Sequence, residues 1–91
     1  MKDNVIDFKQ AKVEYQVKVA IKKLRKVYND IDISYYYIAE GMVLKLSKSV
    51  YNKEILILYI ELENMIPESI FKYYINRFIE AVYQKRELET W

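Results

Sequence analysis

The chain has 91 residues, 53% of them hydrophobic and 31% charged, and its 15 Lys and Arg against 13 Asp and Glu leave a formal net charge of +2. It has no Cys and no His, with one Gly and one Pro. Disulfide frameworks, thiolate or His-based metal sites, His-dependent acid–base catalysis and glycine-rich phosphate loops are therefore excluded, and the expectation is a non-enzyme with no cofactor and no metal.

A chain of this length predicts one domain, folding to bury roughly 65% of its extended surface. The longest apolar run, Ile55 to Ile60, has six residues, against the roughly 20 of a membrane-spanning helix. Met1 to Phe8 lacks the apolar region of a secretory signal, so the expected setting is cytoplasmic, away from membranes. The 12 Ile, 12 Lys and 10 Tyr suit an AT-rich coding sequence.

Residues 1–9 are predicted as an N-terminal arm able to dock Val5, Ile6 and Phe8 on the body, and residues 10–91 as a single α+β domain. From Ala11 to Tyr28 the apolar positions Val13, Val17, Ala20, Ile21, Leu24, Val27 and Tyr28 fall on one helical stripe, which Asn29 can close. The period then becomes two: Ile31, Ile33, Tyr35 and Tyr37 alternate with Asp32, Ser34, Tyr36 and Ile38, as in a strand. Gly41 marks a turn, Met42 to Ser47 a second strand, Ser49 to Lys53 a hairpin loop, and Glu54 to Glu63 a third strand. Pro67 and Glu68 suit the first turn of a helix running toward Leu88, with Ile70, Phe71, Tyr74, Ile75, Phe78, Ile79, Ala81 and Val82 at helical spacing. The order is α-β-β-β-α, a three-stranded antiparallel meander with two helices on one face. It is similar to the order of the double-stranded RNA-binding domain, but Pro67-Glu68-Ser69-Ile70-Phe71 lacks the basic, alanine-rich opening of that module's last helix, so no family is assigned.

This reading places Leu56, Leu58, Ile60 and Leu62 under the helices. It turns Ile55, Ile57, Tyr59, Glu61 and Glu63 to the far face, beside Tyr36, Ile38 and Val43. That face is apolar at its centre and acidic at its margin, more apolar than a sheet covered on one side requires. The last helix carries an apolar arc of about 180°, wider than one contact needs. Tyr36, Ile38, Val43, Ile55, Ile57, Tyr59, Ile79 and Tyr83 are thus the expected protein interface, with self-association into a homodimer or capture of another protein as its use. The alternatives are that the arm covers the face or that the strand register differs from this one.

Charge is uneven: residues 1–29 carry +5 and residues 30–65 carry −3. Tyr15, Lys18, Lys22, Arg25 and Lys26 project from the first helix away from its apolar stripe, which gives an alternative function, nucleic-acid binding by phosphate neutralisation and base stacking. The spacings Asp30/Asp32 and Glu61/Glu63 could place carboxylate pairs on one side of a strand for a hard cation, although edge solvation explains them as well. Size and missing catalytic groups point to a small interaction protein that occludes a surface of another macromolecule. An inhibitor or accessory factor of phage or mobile-element type, such as an inhibitor of a host defence nuclease, fits that description.

Overall fold

A computed structural model describes residues 8–84. The elements are α1 (Phe8–Val27), β1 (Asp32–Ile38), β2 (Gly41–Lys48), β3 (Tyr51–Leu58), α2 (Tyr59–Asn64) and α3 (Pro67–Gln84). The three strands form an antiparallel meander in the order β1-β2-β3. The expected α+β architecture is present, with one short additional helix, α2. Helix α1 begins at Phe8 and so takes in the last two residues of the predicted arm. The rest of that arm, and the end of the last predicted helix after Gln84, lie outside the described residues.

Helix α1 buries Val13, Val17, Ala20, Ile21 and Leu24. Val27, predicted on the same stripe, is exposed because α1 ends there. Pro67 opens α3 at the position where a missing N–H has no partner to lose. Helix α3 buries Ile70, Phe71, Ile75, Phe78 and Ala81, and packs Tyr74, Ile79 and Val82 against the same core. Its wide apolar arc is therefore covered within the chain, since α3 touches both α1 and the sheet. Full burial of Phe71 and Phe78 contributes about 1.5–3 kcal/mol each. Lys23 pairs with Glu68 at 3.2 Å, and the Tyr28 hydroxyl donates to Asn76 Oδ1 at 3.2 Å, so two polar links tie α1 to α3.

Both strand connections are two-residue turns: Ala39-Glu40 follows the Ile38–Gly41 pair and Ser49-Val50 follows the Lys48–Tyr51 pair. Ser49 takes a φ of 58°, the positive value that lets such a tight turn match strand twist. The second turn corrects the third strand. A five-residue loop from Ser49 to Lys53 would set Lys48 against Glu54 and put Leu56 and Leu58 opposite the core positions of β2. The observed turn sets Lys48 against Tyr51, an odd shift that exchanges the faces of β3. Ile55 opposes Leu44 and Ile57 opposes Met42, all in the core, while Leu56 and Leu58 face out.

The third strand also stops at Leu58, five residues short of the expected end. Glu61 reaches back to accept a hydrogen bond from the Leu58 N–H at 3.1 Å, and the Tyr59 N–H donates to Glu40 O at 3.1 Å. This carboxylate contact is half of a capping box and starts α2, which buries Leu62. Gly41 makes the approach possible. A Cβ there would collide with the Ile57 carbonyl oxygen and lie 2.8 Å from Leu58 Cα, both backbone atoms that cannot yield.

Gly41→Ala is therefore expected to cost about 2 kcal/mol or more in urea unfolding followed by circular dichroism. Ser49→Gly is expected to be stabilising by up to about 1 kcal/mol, because glycine takes positive φ without strain. A neutral Gly41→Ala variant would contradict the close approach.

Candidate functional site

The sheet face turned away from the helices falls into two halves. At the end nearer the β1–β2 turn, Tyr36, Val43 and Leu56 lie side by side across the strands, followed by Ile38, Gly41 and Leu58. Tyr36 is 45% exposed and Leu56 is 50% exposed, whereas Val43 between them is nearly covered. At the other end stand Ser34, Lys45 and Glu54 in one row, then Asp32, Ser47 and Asn52 in the next. The Lys45 ammonium lies 6.0 Å from the Tyr36 ring centroid, at the junction of the halves. The Ser47 hydroxyl donates to Asn52 Oδ1 at 3.0 Å.

Three of the eight expected interface residues, Tyr36, Ile38 and Val43, share this face. Ile55 and Ile57 do not: the odd register puts them under the helices. Tyr59 is the first residue of α2, half-buried, with its ring stacked on Tyr37 at 6.4 Å between centroids and its hydroxyl accepting from Gln10 Nε2 at 3.4 Å. Ile79 packs against the core, and Tyr83 is exposed near the end of α3. Leu56 and Leu58 are the face residues that the sequence reading missed. The signal lay in the length of the preceding turn.

The basic row of α1 lies on the solvent side of the helix. Tyr15, Lys18, Lys22 and Lys26 are exposed, but Arg25 Nε donates to the Ile33 carbonyl at 2.9 Å and caps the open edge of β1. The carboxylate pairs do not form cation sites. Glu61 and Glu63 lie two apart on a helix, so they point to different sides, and Glu61 holds the start of α2. Asp30 pairs with Lys48 at 3.0 Å, and this hydrogen bond holds its carboxyl below the usual range. Among the described residues no group of three or more potential metal ligands occurs.

A tyrosine cluster lies on the helix side of the sheet. Tyr35 meets Tyr37 edge-to-face at 5.7 Å, and the Tyr37 hydroxyl is buried with no hydrogen-bond partner among the described residues. Burial, reinforced by Tyr35 and Glu14, pushes the Tyr37 hydroxyl well above its ordinary pKa. Burial also raises Tyr59, with Glu14 adding to it and the Gln10 hydrogen bond opposing, and raises Tyr74 beside Glu61. Comparison with protein-family models, curated proteins and solved structures finds no significant match to the chain.

Unfolded tyrosine ionises near pH 10. The three raised hydroxyls keep their protons longer in the fold, so their contribution is intact below that pH and is lost as pH rises through the folded values. Urea midpoints are expected to fall from about pH 10 upward, with tyrosinate absorbance rising in step with unfolding. Tyr37→Phe is expected to be neutral or stabilising by up to about 1 kcal/mol at pH 7, since it removes a buried hydroxyl without a partner. A loss above about 1 kcal/mol would show that the hydroxyl is satisfied.

Proposed function

We propose that this chain is a small non-enzymatic interaction module that pairs with a second copy through the open face of its sheet and acts by occupying a surface of another macromolecule. The observation that carries this reading is the apolar half of that face, where Tyr36, Leu56 and Leu58 stand exposed around half-buried Ile38 and nearly covered Val43, opposite a core that the helices complete on the other side. Five apolar residues are fewer than the roughly 20–30 a side of a standard interface, so the polar half takes part as well. Lys45 and Glu54 are directly opposed neighbours on that half. In a two-fold, face-to-face pair, the Lys45 of each copy meets the Glu54 of the other, which supplies register in addition to apolar contact.

Light scattering on the purified chain is expected to show a species of twice 11.1 kDa at tens of micromolar. Leu56→Lys is expected to return it to monomer with an unchanged far-ultraviolet circular dichroism spectrum. Lys45→Glu is expected to weaken the pair about tenfold, and adding Glu54→Lys to restore it. A monomer at 100 µM, or indifference to Leu56→Lys, rejects the pairing.

A further inference from the structure

A groove on the helix layer runs between α1 and the turn that joins α2 to α3. Tyr15, Val19 and Ala20 form one wall and Met65, Ile66 and Pro67 the other, around about 490 Å³. A hollow of about 300 Å³, bounded by Lys12, Gln16 and Glu63, continues it toward the start of α1. Met65 leaves α2 in an extended conformation and Pro67 opens α3, so Met65 and Ile66 form the turn between the two helices. Met65 is 57% exposed and Ile66 is 69% exposed.

The charges around this apolar centre are not random. Tyr15, Val19, Lys22 and Lys26 recur four, seven and eleven residues along from Tyr15, so they form one stripe of α1. The described ion pairs engage Lys23 and Lys48 and leave Lys12, Lys22 and Lys26 without a carboxylate. Along α1, Tyr15 and Val19 thus lie between Lys12, which lines the hollow, and Lys22 and Lys26, which follow on the same stripe beyond the groove lining. The facing wall carries Glu63, and Glu68 beside it is already neutralised by Lys23.

We propose that this groove binds an amphipathic helical segment of another protein, one that seats aliphatic side chains on Val19, Met65 and Ile66 and runs carboxylates along its α1-facing flank. Charge complementarity selects this occupant. A nucleic acid would find one aromatic ring among the lining residues, Tyr15, on which to stack a base. A second copy docked by the same groove would bring the two unpaired lysine rows together. The inference rests on the reading of the chain as an interaction module but not on its self-association, which is measured separately on Leu56 and Lys45.

The test uses the full chain, isotope-labelled for amide spectra. It is titrated with a synthetic helical peptide of about 16 residues bearing a leucine stripe and a glutamate flank. A twin with lysine in place of each glutamate and a short single-stranded DNA serve as competitors. The expected result is movement of the Val19, Met65 and Ile66 amides, with at least about tenfold tighter binding of the glutamate peptide than of its twin at low salt. Ile66→Asp, and separately Lys22→Glu with Lys26→Glu, are each expected to weaken it about tenfold with thermal unfolding unchanged. Equal affinity for the twins, or shifts confined to the sheet face, would overturn the proposal. So would tighter capture of the DNA by the same amides, or groove amides that move with protein concentration alone.

Discussion

The close approach of Gly41 to the end of β3 is the constraint on which the rest of the molecule depends. Gly41 stands opposite Leu58 with the Ile57 carbonyl where a side chain would be. The Ser49-Val50 turn pins the other end of the same hairpin. Between these two points the register of β3 has no freedom. A slip of one residue would send Ile55 and Ile57 to the outside and draw Leu56 and Leu58 into the core. The same approach brings the Tyr59 N–H within reach of the Glu40 carbonyl, which ends the sheet and releases the chain into α2.

Most of the fold was legible because most segments admit only one apolar face. The stripe of α1, the alternation of β1 and the Pro67 opening of α3 each have a single solution, and each is realised. The run from Ile55 to Ile60 is apolar at both parities, so its own residues cannot choose a face. The choice passes to the preceding turn, and Ser49-Val50 carries none of the Asn-Gly chemistry that announces a tight hairpin. Helix α2 was hidden for a related reason. Its residues Tyr59-Ile60-Glu61-Leu62 continue the alternation of β3, and only the carboxylate of Glu61, three residues after Leu58, marks a helix start.

The apparent surplus of hydrophobic residues divides differently once the register is known. The wide arc of α3 is no surplus, because that helix has two neighbours to cover, the sheet and α1. What stays outside includes the apolar half of the open sheet face and the Met65-Ile66 turn, with Val27, Val50, Ile60, Tyr73 and Tyr83 exposed elsewhere. Several polar groups that the sequence offered are meanwhile committed to structure. Glu61 starts α2, Glu68 and Lys23 join two helices, Asp30 holds Lys48, and Arg25 caps the edge of β1.

Both exposed surfaces trace back to the course of β3, one to its register and one to its end. With Ile55 and Ile57 inside, Leu56 and Leu58 must stand out on the open face. With the strand stopped at Leu58, Tyr59 turns inward to stack on Tyr37 and to meet Gln10 of α1. That contact anchors α1 near its start against the beginning of α2, and Leu62 in the core fixes the other side of the short helix. The α2–α3 turn then falls beside Val19, which opens the groove. Had β3 continued to Glu63, residues 59–63 would lie in the sheet, and the groove would not exist.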